Sequence, residues 1–186
     1  SLSHIVESGE DFKEDFDEIY AEFSGLYPEI VDILIRLFHS PEEIYQMIRE
    51  GEGVIPSRTL QARWIEQDSP YISGSAANIE RAGKWLVFLP PEDVDEIWRR
   101  IRDLTWEGEL GISAKVSTAK PDPDARDERK VIYVYTADWE DEPDVMRVRE
   151  ELRRIGINDR IGYKRNIETF KGEYSARGKK VTFYSA

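Results

Sequence analysis

The chain has 186 residues, of which 40% are apolar, so it can bury a sizeable core and is not an intrinsically disordered chain. It contains no cysteine, which excludes disulfide bonds and thiolate metal sites. With no signal-like or membrane-length apolar run, we expect a soluble, cytoplasmic protein that does not associate with a membrane.

The net charge of −12 is unevenly distributed along the chain. Residues 1–50 hold thirteen acidic residues against Lys13, Arg36 and Arg49, a balance of −10. Residues 153–186 hold nine Lys or Arg against three acids, a balance of +6. An anionic ligand is therefore expected to meet the C-terminal part first, although each segment alone is equally consistent with a solvated face.

Residues 1–51 are predicted to form an N-terminal helical extension, followed by an α+β domain over residues 52–186. Residues 28–38 are apolar on nearly every side, and Ser40 is a typical N-cap for a third helix that ends at Gly51. This extension either packs on the main domain or presents its apolar face to a partner protein. The first helix stops near Gly25 and has apolar residues at helical spacing: Phe12, Phe16, Ile19, Tyr20 and Phe23.

A linker at residues 51–56 precedes a predicted strand over residues 58–67, which carries Trp64. The segment from residue 69 to residue 83 has no clear period and is predicted to be a loop. Its Ser73-Gly74-Ser75 sequence matches no P-loop or dinucleotide fingerprint.

Residues 84–117, KWLVFLPPEDVDEIWRRIRDLTWEGELGISAKVS, predict a strand, a helix and a second strand. The apolar run at 84–89 favours a buried strand, and Pro90-Pro91 ends it. The helix begins near Pro91 and ends near Gly108, with Trp98 on its apolar stripe. Residues 110–118 then alternate between apolar and polar side chains, which is typical of a strand covered on one side.

Further strands are predicted at residues 131–136, 160–164, 167–174 and 180–184, with Arg177-Gly178 as a turn before the last one. A helix at residues 145–155 is preceded by the capping sequence Asp141-Glu142-Pro143-Asp144. This mixture of hairpins and crossovers predicts an α+β fold around one mainly antiparallel sheet.

The central segment, together with VIYVYTADWEDEPDVMRVREELRRIGI at 131–157 and IGYKRNIETFKGEYSARG at 161–178, resembles the basophilic-leukemia-expressed protein family. The resemblance implies a curved, mainly antiparallel sheet backed by helices, similar to the mRNA-cap-binding translation initiation factor. More remotely, the strand-helix-strand order and its lysines resemble the phosphothreonine lyases of enteric bacteria, which eliminate phosphate from phosphothreonine.

The lyase resemblance implies a role for several basic residues. It places Lys115 at the position of the catalytic base and Lys84 at that of a lysine contacting phosphate. A lysine beside other cations loses its proton more easily, which is what a base requires. Further phosphate-binding positions are implied at Arg126 and at either Lys164 or Arg165.

One position departs from the lyase pattern, because Leu86 stands where the lyases have their general acid. Leucine cannot protonate a leaving group. The sequence therefore predicts binding of a phosphorylated ligand, a phosphopeptide or a nucleotide, in a basic pocket over the sheet, with or without β-elimination. The alternatives are a protein-interaction module that uses the acidic helices, with Lys115 merely solvated, and a module that binds a cap, a nucleotide or RNA.

The nucleotide alternative depends on aromatic residues beside cations, because two tryptophans hold the base in the cap-binding factor. Trp106 and Trp139 are the candidates, since both lie at loop-like ends, whereas Trp98 is expected in the core. His4 and His39 are the only histidines, and they lack metal-ligand spacing. We therefore expect no metal site and no cofactor.

Overall fold

The computed structural model describes residues 1–72, 78–170 and 182–186. The chain divides into two compact units. The first consists of residues 1–63 and 119–121, and the second of residues 64–118 and 122–186. The predicted Ser73-Gly74-Ser75 loop and the Arg177-Gly178 turn lie outside the described residues.

The first unit is helical. Its helices are α1 (Leu2–Ser8), α2 (Lys13–Leu26), α3 (Pro28–Phe38) and α4 (Pro41–Arg49), followed by a 3-10 turn at Pro56–Arg58. Ser40 caps α4 as predicted, because its hydroxyl accepts a hydrogen bond from the Glu43 backbone N–H. Tyr45 is buried and donates its hydroxyl proton to Asp11 at 2.7 Å. The unit has a small core of its own: Val6, Phe12, Phe16, Tyr45 and Val54.

The second unit contains a six-stranded sheet in which every pairing is antiparallel. Its strands are β1 (Trp64–Asp68), β2 (Gly83–Leu89), β3 (Ser113–Ser117), β4 (Lys130–Thr136), β5 (Gly162–Arg165) and β6 (Tyr184–Ser185). The strand order is β1-β3-β4-β2-β5-β6, so β2 and β4 are central. This architecture confirms the predicted α+β class.

Two amphipathic helices cover one face of this sheet. Helix α5 (Val94–Trp106) packs against β1, β3 and β4, and α6 (Glu142–Arg154) packs against β4. Asp141 caps α6 by accepting a hydrogen bond from the Asp144 N–H, and Trp98 is buried on α5, both as predicted.

The side chains of β2 alternate between the apolar face of the sheet, which packs on the helices, and a polar face on the other side. Trp85 and Val87 point into the core with α5 and α6, and the Trp85 indole N–H donates to the Val145 carbonyl at 3.0 Å. Tyr163 of β5 lies edge-on to Trp85, and its hydroxyl lies 2.7 Å from that of Thr136. Because side chains alternate along a strand, Lys84 and the residues aligned with it, Lys164 and Tyr135, lie on the opposite face of the sheet.

The predicted strand at residues 167–174 is wrong over its described part. Helix α7 (Asn166–Phe170) occupies residues 166–170, and residues 171–174 lie outside the description. Glu168 explains the helix, because its carboxylate accepts the Arg165 backbone N–H and binds the Arg165 guanidinium at 2.9 Å. An acid in the first helical turn is favourable there.

The other strand boundaries also shift. The strand predicted at residues 58–67 begins only at Trp64, because Pro56–Arg58 forms a 3-10 turn. The strand predicted at 160–164 is observed at 162–165. Of the last predicted strand, residues 180 and 181 lie outside the description, and the observed strand is Tyr184–Ser185.

We predict that Gly83→Ala destabilises the second unit by about 1–3 kcal/mol. A Cβ at residue 83 would overlap the buried Tyr163 hydroxyl, which the Trp85 and Thr136 contacts hold in place. All five tryptophans belong to the second unit, so urea unfolding followed by tryptophan fluorescence measures the free energy of unfolding of this unit.

Gly25→Ala is the matched control for this measurement, because a Cβ there meets nothing within 4 Å and Gly25 lies in the first unit. The fluorescence transition of this control should be unchanged. A Gly83→Ala transition that coincides with the wild-type one would show that Tyr163 moves aside freely.

Candidate functional site

Three lysines from three strands lie on the sheet face opposite α5 and α6, which we call the lysine face. Lys84 of β2 is aligned with Lys164 of β5 on one side and with Tyr135 of β4 on the other. Lys115 of β3 is aligned with Tyr133 of β4. The register therefore gathers Lys84, Lys115 and Lys164, predicted at the sequence level to bind phosphate or act as a base, on one surface.

Aromatic rings form the floor beneath two of these lysines. The Lys84 ammonium lies 5.1 Å from the Tyr133 ring centroid and 5.6 Å from that of Tyr135. The Lys115 ammonium lies 4.5 Å from the Trp64 ring and 5.6 Å from Tyr133, and Trp64 stacks on Tyr133 at 5.3 Å. Both ammonium groups thus approach the ring of Tyr133, and cation–π attraction holds them there.

Lys84 is the most deeply buried of the cations on this face, with 8% of its surface exposed. Burial, together with the positive charges of Lys115 and Lys164, lowers the pKa of Lys84 to about 8. Like charges directly opposite each other on neighbouring strands are unfavourable, so the alignment of Lys84 with Lys164 costs stability.

The sequence left Lys164 and Arg165 as alternatives for one phosphate-binding position, and the structure places them on opposite faces. Lys164 lies on the lysine face beside Lys84. Arg165 lies on the other side, where it is ion-paired with Glu168 and its guanidinium lies 4.8 Å from the Trp139 ring and 4.4 Å from the Phe183 ring. Arg165 is thus held within the protein by these groups.

The remaining predicted site residues lie apart from the three lysines. Arg126 is in the exposed connection between β3 and β4. Trp106 is 56% exposed at the end of α5, and Trp139 packs against Phe183 at 5.1 Å.

Leu86, by contrast, is on the lysine face itself. It is buried and aligned with Tyr133, and its side chain has no proton to donate.

Sequence reasoning missed Trp64, Tyr133 and Tyr135 as parts of this surface. Their signal was present, because Tyr133 and Tyr135 alternate with buried Ile132 and Val134. This alternation alone could not reveal the surface, because Trp64 of β1 and Tyr133 of β4 are brought together only when β3 pairs between their two strands.

A cavity of about 170 Å³ lies beside Lys115 on the same face. Its lining includes two carboxylates from the edge strand β1: Glu66, Asp68, Ser113, Ala114, Lys115 and Tyr135. Burial raises the pKa of the Tyr135 phenol, and the neighbouring Tyr133 and Glu66 raise it further, so this hydroxyl keeps its proton.

Within the described residues no group of three or more His, Asp or Glu side chains is arranged to hold a metal ion. No helix in that same part of the chain is long and apolar enough to cross a membrane. The chemistry that the lysine face itself offers is anion binding, together with an amine that loses its proton near pH 8.

Solved structures similar to this chain include cap-binding initiation factors. A schistosome eIF4E complexed with m7GpppA and 4E-BP is 16% identical with a TM-score of 0.45, and the match covers 60% of this chain and 61% of that one. C. elegans eIF4E-3, with the 4E-binding protein Mextli and a cap analog, is 14% identical with a TM-score of 0.45, covering 66% and 68%. This chain thus spans about three fifths of the schistosome protein.

A model of one protein family matches residues 63–170 of this chain. That span is more than half of the 186 residues, and it contains all three lysines of the lysine face and its aromatic floor. It also includes the central segment, all of residues 131–157 and residues 161–170 of the third segment that resembles this family. The chain therefore belongs to the family of the basophilic leukemia-expressed protein Bles03.

Proposed function

We propose that this protein binds a phosphorylated ligand on the lysine face, with Lys84, Lys115 and Lys164 as its cationic contacts. The observation that carries the proposal is the alignment of Lys84 with Lys164 and the approach of Lys84 and Lys115 to the same tyrosine ring. A phosphate group carries nearly two negative charges and accepts several hydrogen bonds, so it offsets the repulsion among these ammonium groups.

The aromatic floor favours a ligand that presents its phosphate to the sheet. Tyrosine and tryptophan rings attract the ammonium groups of Lys84 and Lys115, and this attraction does not remove the positive charge of an ammonium group. The same rings offer a stacking surface to a nucleobase, so a nucleotide or a strand of RNA is the ligand to compare with a phosphopeptide. Trp64, Tyr133 and Tyr135 fit this role better than Trp106 and Trp139, because they lie on the lysine face.

A β-elimination on a bound phosphothreonine is the second candidate, and the lowered pKa of Lys84 favours it. The Lys84 amine would take the proton from the α-carbon, and the electron pair left there would form the double bond to the β-carbon. The β-carbon–oxygen bond would break, and the phosphate would leave with its electron pair. Lys164, aligned with Lys84, would stabilise the charge of the leaving phosphate, which would take any proton from solvent because Leu86 cannot supply one.

A protein-interaction role is favoured by a different feature, the exposed side of α3. This helix has one stripe of half-buried side chains and a second apolar stripe that is exposed, with Ile33 at 55% and Leu37 at 63%. The second stripe has helical spacing and continues onto the end of α2: Leu26, Tyr27, Ile30, Ile33 and Leu37. A contiguous exposed apolar surface of this kind is typical of a docking site.

The negative charge of residues 1–50 indicates what kind of partner would bind α3. Residues 1–50 carry a balance of −10, so a second copy of this chain would bring like charge to the contact. A basic amphipathic helix of a partner protein instead matches both the apolar stripe and the acidic surroundings. We propose such a helix as the partner of α3.

Phosphate binding is tested by NMR titration of labelled lysines in the full chain with inorganic phosphate, a phosphothreonine peptide and GMP. We expect the pKa of Lys84 to rise above 8 in the complex and affinity to fall as the pH rises through that value, because the neutral amine no longer attracts the anion. Lys84→Met or Lys164→Met should weaken binding roughly tenfold to a hundredfold.

Lys130→Met is the matched control, since Lys130 belongs to β4 but lies on the opposite face and donates to the Thr118 carbonyl at 2.8 Å. Its affinity for the phosphorylated ligand should equal that of the wild type. Equal binding by Lys84→Met would rule out the lysine face as the site.

Elimination is tested by mass spectrometry of a phosphothreonine peptide incubated with the protein. We expect the wild type and Lys130→Met to release phosphate and leave a dehydrated residue, and Lys84→Met to be inactive because the base is missing. Activity lost in Lys115→Met but kept in Lys84→Met would assign the base to Lys115, as the lyase resemblance implies. An unreacted peptide with the wild type would reject elimination.

The partner of α3 is tested by fluorescence anisotropy with a labelled model helix of leucine and lysine. We expect Leu37→Glu to weaken its binding about tenfold through loss of apolar contact, even though the added charge favours a basic peptide. Leu60→Glu, the same change at a residue 56% exposed elsewhere in the first unit, should bind like the wild type. Reversible dimers that Leu37→Glu abolishes would instead identify a second copy as the occupant.

A further inference from the structure

The sign of the charge reverses across the lysine face. One row of aligned residues runs Lys164, Lys84, Tyr135, Ser113 and Asp68 from β5 to β1. The neighbouring row runs Leu86, Tyr133, Lys115 and Glu66. The β5 and β2 side of the face is therefore cationic, and its β1 edge is anionic.

The cavity of about 170 Å³ lies at the point where the sign changes. Lys115 and Tyr135 line it on the side of the lysines, and Glu66 and Asp68 line it at the β1 edge. A water molecule occupies roughly 30 Å³ in the liquid, so the cavity has room for a short alkyl group with a polar end but not for a large ring system.

The position of Lys115 leaves the carboxylate of Glu66 facing this cavity. Although Lys115 is directly aligned with Glu66, its ammonium lies 4.5 Å over the Trp64 ring. In the described part of the chain Glu66 makes no ion pair with Lys115. Glu66 and Asp68 are exposed carboxylates at the mouth of this cavity, where their oxygens can accept hydrogen bonds from an ammonium group of the ligand.

We propose that the ligand of the lysine face is zwitterionic: a phosphorylated small molecule that also carries an ammonium group, bound by Glu66 and Asp68. This inference rests on the proposed phosphate-binding function and narrows its ligand class. The phosphate lies over Tyr133, where Lys84 and Lys115 approach the same ring, and the ammonium lies in the cavity. Two strand spacings separate β4 from β1, so the two charged groups of the ligand are about 10 Å apart.

The probes are 6-aminohexyl phosphate and its N-acetyl derivative, which share the phosphate and the alkyl chain and differ in the positive charge. Calorimetric titration of the full chain should show the amine binding at least tenfold more tightly than the amide. In the Glu66→Gln, Asp68→Asn double variant the two probes should bind equally, and the affinity for the amide should be no weaker than in the wild type. Unchanged amide binding also shows that the variant is folded.

Glu150→Gln with Glu151→Gln is the matched control, because it removes the same two charges from α6, which packs on the other face of the sheet. This control should keep the preference for the amine. If the wild type binds both probes equally, the zwitterion proposal is overturned and phosphate binding stands. If the wild type binds neither probe, both the phosphate-binding proposal and the zwitterion proposal are overturned.

Discussion

The antiparallel register of β2 between β4 and β5 is the constraint on which the rest of the second unit depends. It directs Trp85 and Val87 into the core beneath α5 and α6, and it places Lys84 beside Lys164 and Tyr135 on the other face. The two roles cannot be separated, because a strand that buries one set of side chains necessarily presents the alternate set. The hydrophobic core thereby supplies the energy that holds like charges side by side.

The lysine face illustrates how a protein holds unfavourable charges near one another. The ammonium groups of Lys84 and Lys115 lie against aromatic rings, and cation–π attraction stabilises their positive charge there. The stability lost at Lys84 is small beside the apolar burial of Trp85, Ile132 and Val134 around it. Strain of this kind is more typical of a functional surface than of a solvated one.

Much of this fold was predictable because its elements carry local signals. The alternation of β3, the apolar run of β4, the stripe of α5 and the caps of α4 and α6 each depend on residues close in sequence, and the structure contains all of these elements. Helix α7 was missed although its ion pair between Arg165 and Glu168 is local in sequence, because five residues are too few to show a helical period. The gathering of Lys84 with Lys164 and the aromatic floor depend on pairing between distant strands, which no local pattern encodes.

Adjacent residues of β5 serve opposite faces of the sheet: Lys164 lies beside Lys84, and Arg165 is clamped by Glu168, Trp139 and Phe183. Inserting or deleting a single residue between α6 and β5 would move each side chain of β5 to the other face of the sheet, so Lys164 would face the core and Arg165 the lysine face. The connection over residues 155–161 is therefore constrained in its length as well as in its side chains, since Gly156 has a φ of 101° and Ile157 is buried in the core. A change in the number of residues there would disturb both faces of the sheet at once.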